Sequence, residues 1–289
     1  MILVFGKTGQ VATALQKYQP NQEVRFLART EADLSDPVSC AQVVETLKPS
    51  VVINAAAYTA VDAAESEPDL AARINAEAPS QIAKACAALE IPMIHLSTDY
   101  VYSGNGDVPH DPKDPVNPSG VYAASKRKGE IGIIEACQKY VILRTSWVFS
   151  ETGNNFVKTM LRLGRERSEI SVVADQVGGP TSAASIARAI YAILAKIDDL
   201  PEKSGVYNFS GTPNVSWAAF AKVIFQQAKL NCQVNEIPSS AYPTPAKRPL
   251  NSRLDCEKTK QAFEISQSDW RDDLRDVLNE LNVGAGNGA

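Results

Sequence analysis

The segment Tyr122-Ala123-Ala124-Ser125-Lys126 places a phenol four residues before an ammonium group. The surrounding pattern predicts a helix over residues 121–138, so both side chains would lie on one face, about one turn apart. A free tyrosine, with a pKa near ~10, is a poor acid at neutral pH, but a lysine cation close by would lower that pKa. The pair is therefore a candidate proton donor, although the same spacing also occurs on ordinary helix surfaces.

Thr98 ends the fourth predicted strand and offers a hydroxyl group to the same region. Ligands of open α/β sheets bind at the carboxyl ends of the strands, so Thr98 could hydrogen bond a substrate oxygen beside Tyr122. The alternative is a hydroxyl that only closes a strand-end turn. A glycine loop, Thr98 and the Tyr122/Lys126 pair, in this order, predict a hydride-transfer site.

The glycine loop connects the first predicted strand to the first predicted helix, with the sequence Gly6-Lys7-Thr8-Gly9. Gly6 permits a tight turn, Gly9 lets the backbone approach a pyrophosphate, and the helix N-terminus supplies N–H donors. The alternative is a turn that uses glycine only for its geometry. Gly6-Lys7-Thr8 is not the ending of an ATP-binding P-loop, because no glycine precedes it across the required four-residue spacer, and this favours a dinucleotide.

Arg29 stands at the end of the second predicted strand, where an Asp or Glu would bind a ribose 2′-hydroxyl. A cation suits a 2′-phosphate, so NADPH is the predicted cofactor and NADH remains possible. The alternative is that Arg29 is merely a solvated strand-end residue.

Short apolar segments alternate with helix-like segments in the first half of the chain. The predicted strands are Ile2–Phe5, Val24–Ala28, Val51–Asn54, Met93–Ser97 and Val141–Arg144, and the predicted helices cover 10–18, 37–47, 69–89 and 121–138. Near-continuous apolar strands separated by helices indicate an α/β fold with a doubly wound, Rossmann-like parallel sheet.

After about residue 145 the pattern is less regular, with helices predicted near 156–166, 182–195, 216–229 and 269–281. We expect a dinucleotide-binding domain over 1–149 and a smaller C-terminal α+β lobe over 150–289 that mainly binds substrate. Segments near 182–210, including a strand at Val206–Phe209, are expected to return to the first domain. Residues 284–289 are expected to be disordered.

Composition narrows the classes of ligand and compartment. The 289-residue chain has a formal charge of −4 and no basic run, so we expect a small-molecule substrate rather than nucleic acid or a membrane. Five cysteines without a C-x-x-C pair and an N-terminus without a signal-peptide pattern predict a cytoplasmic protein. The two histidines, His95 and His110, cannot build an imidazole-rich metal centre and are expected to be structural.

Over nearly its whole length the chain resembles the extended short-chain dehydrogenase/reductase family, and within it the enzymes that complete dTDP-L-rhamnose synthesis. The similar segments are GKTGQV at 6–11, VINAAAYTAVDAAESEP at 52–68, STDYVYSGNG at 97–106, YAASK at 122–126, RTSWVF at 144–149, GNNFVKTMLRL at 153–163, DQVGGPT at 175–181 and PTPAKRPLNSRLD at 243–255.

The resemblance implies a set of site residues. Those lining the cofactor would be Gly6, Gly9, Gln10, Val11, Arg29, Asp33, Leu34, Ala57, Tyr58, Thr59, Tyr122 and Lys126. Those contacting the deoxysugar nucleotide would be Thr98, Asp99, Trp147, Asn154, Asn155, Arg248 and Arg253. The alternatives are a core aromatic for Trp147 and a solvated loop for the two arginines.

The resemblance also implies a reaction, the reduction of the C4 ketone of dTDP-4-dehydro-β-L-rhamnose by NAD(P)H to give dTDP-L-rhamnose. Tyr122 would give the proton, Thr98 would hydrogen bond the oxygen, and Lys126 would hold the nicotinamide ribose and depress the tyrosine pKa. Two alternatives stay open: a nucleotide-sugar epimerase or dehydratase that recycles its cofactor, and a non-catalytic, cofactor-binding regulatory subunit.

Some relatives of this kind hold Mg²⁺ between subunits with three carboxylates. Here Ala14 and Ala184 stand at the first two matching positions, and only Glu280 suits the third. Because a hard cation needs oxygen ligands, we expect no metal and a monomer or weak homodimer.

Overall fold

A computed structural model of the protein describes residues 1–283, so the predicted disorder of 284–289 lies outside the described residues. The strands of the main sheet are β1 (Ile2–Phe5), β2 (Val24–Leu27), β3 (Val51–Asn54), β4 (Met93–Thr98), β5 (Tyr140–Thr145) and β10 (Gly205–Asn208). They are all parallel, in the order β10-β5-β4-β3-β1-β2. The order reverses direction between β1 and β3, which creates a crevice at their carboxyl ends. The predicted doubly wound sheet is confirmed.

Helices cover both faces of this sheet. One face carries α1 (Gln10–Lys17) and α8 (Ala183–Leu194), and the other carries α2 (Pro37–Leu47), α5 (Ala78–Ala88) and α6 (Val121–Ala136). Successive strand side chains point to opposite faces: Ile2 and Val4 join the first apolar cluster, and Leu3 and Phe5 join the second. The sheet is therefore buried on both sides, as near-continuous apolar strands require.

The helix predicted over 69–89 is interrupted. After α3 (Val61–Ala64), the chain forms α4 (Pro68–Ala72), a π-helical turn at Arg73–Glu77 and then α5. Single π turns often occur at functional sites, and this one carries the buried Asn75. Apolar periodicity does not reveal such a turn, because the flanking helical pattern continues through it.

The C-terminal part has its own core, which contains Leu161, Phe220 and Trp270. Its helices are α7 (Phe156–Glu166), α9 (Trp217–Gln227), α10 (Glu257–Phe263) and α11 (Trp270–Glu280). Its strands are the pairs β6 (Val148–Phe149) with β9 (Thr181–Ser182) and β7 (Glu169–Val173) with β12 (Gln233–Ile237), and the trio β8 (Val177–Gly178), β11 (Val215–Ser216) and β13 (Asn251–Ser252).

Three segments beyond residue 150 pack on the main sheet: α8 contacts α1, β10 pairs with β5, and α10 contacts β10. The parallel pair β7/β12 was not predicted, because it is a two-stranded ribbon in which exposed polar residues interrupt the apolar ones. Within residues 1–283, the helices all fall short of the length and apolarity needed to cross a membrane.

Candidate active site

A cleft of about 770 Å³ is lined by the segments that follow β1, β3 and β4. This volume lies within the range of about 300–1,000 Å³ that is usual for small-molecule sites. The predicted site residues that line it are Gly6, Gly9, Gln10, Val11, Arg29, Asp33, Leu34, Ala57, Thr59, Thr98, Asp99, Tyr122, Lys126, Trp147 and Asn154. Most of the residues chosen from the sequence are thus brought to one place.

The N-terminus of α1 forms one wall of the cleft. Its N-cap residue, Gly9, provides no side-chain hydrogen bond, and a Cβ there would meet nothing within 4 Å. Within residues 1–283, five other α-helices are capped by side chains, namely those of Asp36, Asn155, Ser182, Ser216 and Asp269. Free N–H donors and the positive end of the helix dipole suit a pyrophosphate.

Gly6 makes the turn that aims α1 at the cleft. Its φ is 107°, a conformation that side-chain-bearing residues rarely adopt. A Cβ there would lie 3.4 Å from the backbone of Ala55 and Ala56 after β3. Glycine at this position therefore serves both the turn and the close approach of the two strand ends.

Arg29 lies on the rim, with 76% of its side chain exposed and its Nε 2.9 Å from Asp33 Oδ2. The pKa of Asp33 is held below its usual range, chiefly by the backbone N–H of Ser35 and also by Arg29. The end of β2 thus presents a cation and a carboxylate together. Arg29 suits a 2′-phosphate and Asp33 suits a ribose hydroxyl, so the residues fit NADPH and also NADH.

Tyr122 lies in the first turn of α6, whose first N–H, from Val121, donates to Glu65 Oε1 at 2.8 Å. Its ring packs edge-on against that of Tyr100, with 5.8 Å between centroids. Burial raises the pKa of Tyr122 to about 12, with the Thr98 hydroxyl acting in the opposite direction. The phenol is therefore protonated at neutral pH, which is the state that a proton donor needs.

The raised pKa of Tyr122 differs from the expected lowering by Lys126. The reason is geometric: Lys126 Nζ is directed to β4, where it donates to the Leu96 carbonyl at 2.7 Å and lies 3.1 Å from His95 Nε2. Lys126 is 2% exposed, and burial lowers its pKa to about 8. Loss of hydration lowers the pKa of Lys126 more than the negative charge of Glu130 raises it.

Thr98 and Asp99 stand at the end of β4. Thr98 Oγ1 donates to Asp99 Oδ1 at 3.1 Å and accepts from the Tyr100 N–H at 3.2 Å. Asp99 Oδ2 is buried without a hydrogen-bond partner in the described part of the chain, and burial raises the pKa of Asp99 to about 6. A buried carboxylate oxygen without a partner favours a ligand that donates a hydrogen bond, such as a sugar hydroxyl.

A second cavity of about 1050 Å³ lies in the C-terminal part and shares Tyr100 and Trp217 with the first. Arg248 lines it and makes a two-pronged ion pair with Asp62, at 2.7 and 3.0 Å.

Trp147, at a φ of 49°, stacks on Trp217 with 3.5 Å between centroids. Trp147 is therefore a wall of the cleft rather than a core residue.

Three predicted site residues are not brought to either cavity. Tyr58 is clamped by Asn75, which accepts from its N–H and donates to its carbonyl, and its hydroxyl donates to Glu67. Asn155 caps α7 and donates to Gln10 Oε1 at 3.0 Å. It therefore orients the side chain of Gln10, which lines the cleft. Arg253 bonds Asn251 at 2.9 Å.

Sequence reasoning missed other residues at the site. Trp217 and Tyr100 line both cavities, and Asn75 joins the Tyr58 backbone to Ser125 of the Tyr122/Lys126 helix at 3.0 Å. His95, which the sequence predicts to be structural, contacts Lys126. Their spacing carried no information, because each acts across elements that are distant in sequence.

No group of three or more His, Cys, Asp or Glu side chains suited to a metal ion occurs among residues 1–283. Ala14 and Ala184 carry no ligand atom, and Glu280 Oε1 lies 2.9 Å from Lys17 Nζ. The one carboxylate of the expected set is therefore paired with a lysine.

A family model, a sequence relative and two solved structures all match nearly the whole chain. The model of the family described as "RmlD substrate binding domain" matches residues 1–283. The chain is 41% identical to the dTDP-4-dehydrorhamnose reductase of Escherichia coli K12, over 97% of each chain. Its fold superposes on the same enzyme from Clostridium acetobutylicum (TM-score 0.92, 34% identity, 97% and 99% of the two chains). It also superposes on that from Bacillus anthracis in complex with NADP (TM-score 0.91, 34% identity, 96% and 98%).

Proposed function

The chain belongs to the RmlD substrate binding domain family, and on that premise we propose that it reduces the C4 ketone of dTDP-4-dehydro-β-L-rhamnose. It is an NAD(P)H-dependent oxidoreductase of the short-chain dehydrogenase/reductase type, and its relatives are dTDP-4-dehydrorhamnose reductases. The reaction is ketone plus NADPH plus H⁺ giving dTDP-L-rhamnose plus NADP⁺. The observation that carries the proposal is the presence of Thr98, Tyr122 and Lys126 in one cleft with the uncapped N-terminus of α1.

Bound NADPH supplies the hydride that reduces the carbonyl carbon. The chain's own groups bind and orient: α1 donates N–H groups to the pyrophosphate, and Arg29 attracts a 2′-phosphate. Tyr122, protonated because its pKa is raised, gives its hydroxyl proton to the oxygen that becomes an alkoxide. The Thr98 hydroxyl turns from Asp99 Oδ1 to donate to the same oxygen, and Lys126 would hold the nicotinamide ribose.

The second cavity is suited to the nucleotide part of the substrate. Arg248 offers a cation to the diphosphate, and the Trp147/Trp217 pair separates the reacting centre from solvent. Asp99, with its unpartnered Oδ2, accepts from a sugar hydroxyl. Asn154 lines the first cleft and offers further polar contacts.

The remaining expectations are part of the same proposal. Residues 1–149 bind the dinucleotide, and 150–289 mainly bind the substrate, with α8 and β10 packed on the first part. The protein works in the cytoplasm, which its five cysteines without a C-x-x-C pair support. It is a monomer or weak homodimer, which is supported by the pairing of Glu280, the one carboxylate suited to a shared Mg²⁺, with Lys17.

The test is to supply dTDP-4-dehydrorhamnose with NADPH, follow the loss of reduced-nicotinamide absorbance and identify the product sugar by NMR. We expect one NADPH consumed for each dTDP-L-rhamnose formed. Sugar conversion without net NADPH consumption would indicate an epimerase or dehydratase instead. Cofactor binding without turnover of this ketone would contradict the proposal and favour a regulatory subunit.

A further inference from the structure

Lys126 contacts a buried histidine that the reaction above does not use. His95 and Asn54 are neighbours on β4 and β3, and both are fully buried. Lys126 Nζ lies 3.1 Å from His95 Nε2, and the other ring nitrogen, Nδ1, lies 3.2 Å from the side-chain nitrogen of Asn54. Asn54, His95 and Lys126 thus form a row of contacting side chains that runs from β3 through β4 to the cleft.

The orientation of the Asn54 amide is determined by the backbone. The Ala56 N–H, which can only donate, points at Asn54 Oδ1 at 3.1 Å. The atom facing His95 is therefore Nδ2, which can also only donate. His95 Nδ1 must accept this bond, so it carries no proton.

This assignment determines the rest of the chain of hydrogen bonds. A neutral imidazole carries one proton, so an unprotonated Nδ1 leaves the proton on Nε2, the atom facing Lys126. An ammonium group has no lone pair to accept an Nε2–H bond, whereas a neutral amine does. The amine can still donate to the Leu96 carbonyl at 2.7 Å.

The electrostatic surroundings agree with a neutral amine. Burial lowers the pKa of both Lys126 and His95. The charged neighbour of Lys126 on its own helix, Glu130, is paired with Arg144 from β5 at 2.7 and 2.8 Å and with Arg127 at 2.9 Å. Of the other titratable groups at this point, Tyr122 on α6 is uncharged because burial raises its pKa to about 12. Asp99 after β4 has a pKa of about 6 and is ionised above that pH, but its Oδ1 accepts from the Thr98 hydroxyl rather than from Lys126.

We propose that His95, held in one tautomer by Asn54, is a positioning residue that favours the neutral amine of Lys126 over its ammonium form until NADPH binds. The negative charge of NADPH then favours the ammonium form, and Lys126 takes one proton from solvent. Binding of NADPH, the cofactor of the proposed function on which this inference rests, is thus coupled to the uptake of one proton at Lys126.

The tautomer can be read directly, without substrate. The chain has two histidines, so a ¹⁵N-histidine-labelled sample gives two ring systems, and His110→Phe assigns them. At pH 9, above the lysine pKa of about 8, we expect His95 to show a protonated Nε2 and a bare Nδ1. Adding NADPH should leave His95 in this tautomer, because Asn54 Nδ2 still donates to Nδ1. An Nδ1–H tautomer or an imidazolium before NADPH is added would overturn the proposal.

Proton uptake provides the second measurement. Calorimetric titration with NADPH at pH 9, in buffers of different ionisation enthalpy, should show uptake approaching about one proton by the wild-type chain. In Asn54→Asp the carboxylate can still accept from Ala56 but also accepts from Nδ1–H, so Lys126 is already charged and uptake should largely disappear. His110→Phe is the matched control, with wild-type uptake expected.

Equal uptake by the wild-type protein and a folded Asn54→Asp variant, or none by the wild type, would contradict the proposal. If Asn54→Asp does not fold, the wild-type tautomer alone decides. Both readouts are independent of the ketone, so a protein with the expected tautomer but no turnover would refute the proposed function and not the role of His95.

Discussion

The two cavities hold their functional groups in different ways. In the first, Thr98, Tyr122 and Lys126 sit on the ends of β4 and α6, and burial shifts their pKa values or those of their neighbours. In the second, the cation Arg248 lies on the loop between β12 and β13 and is held by one carboxylate, Asp62. We infer that the first region serves proton chemistry and that the second recognises an anion.

The difference has a physical basis. Proton transfer needs groups at fixed positions and with altered pKa values, which rigid elements and low polarity provide. Binding of a flexible nucleotide tolerates exposed groups on loops. We therefore expect substitutions in the first cleft to change kcat or the titration behaviour, and those in the second cavity to change KM.

Tyr122→Phe should have the largest effect, because it removes the hydroxyl that we propose protonates the product oxygen. We expect kcat to fall by roughly 10²–10⁴-fold, the usual contribution of a general acid. NADPH affinity and the melting temperature should stay near those of the wild-type protein. Near-normal turnover would remove Tyr122 from the mechanism.

Asp99→Asn should stabilise the protein while it impairs substrate binding. The pKa of Asp99 is about 6 in the folded chain against its usual value of 3.8, so ionisation opposes folding as pH rises from about 4, and the penalty is fully present above pH 6. Removing it should add up to about 3 kcal/mol to the free energy of unfolding at pH 7 and less than about 1 kcal/mol at pH 4. Urea unfolding at both pH values measures this, and an effect independent of pH would contradict the assignment.

Arg248→Met tests the second cavity. A hydrogen-bonded charge is worth about 1.5–3 kcal/mol, so we expect KM for the sugar nucleotide to rise roughly 10–100-fold with kcat within about threefold of wild type. Arg253→Met, at a cation outside both cavities, is the matched control with little change expected. A drop in kcat alone for Arg248→Met would contradict the expectation that substitutions in the second cavity change KM.

Arg29→Ala should have the smallest effect, because its side chain is 76% exposed and already paired with Asp33. Exposed ion pairs are worth up to about 1 kcal/mol, so KM for NADPH should rise about fivefold and KM for NADH should not change. Steady-state kinetics with both cofactors measures the ratio. An equal rise for both would show that Arg29 does not contact a 2′-phosphate.

The sequence by itself determined the sheet, the glycine loop and the Tyr122/Lys126 helix. These features depend on local regularities, namely apolar strands, glycine positions and a four-residue spacing, which the chain displays without knowledge of distant contacts. The resemblance to a known family extended this to loop residues such as Trp147 and Arg248, which periodicity does not select.

Only the tertiary structure decided how these groups act on one another. Burial, not spacing, raises the pKa of Tyr122, and the contact between α6 and β4 directs Lys126 to His95 instead of the phenol. The π turn that places Asn75 and the pairing of Arg248 with Asp62 also join segments far apart in the chain. Desolvation and long-range contacts exist only after the chain has folded, which is why residue type and spacing did not reveal them.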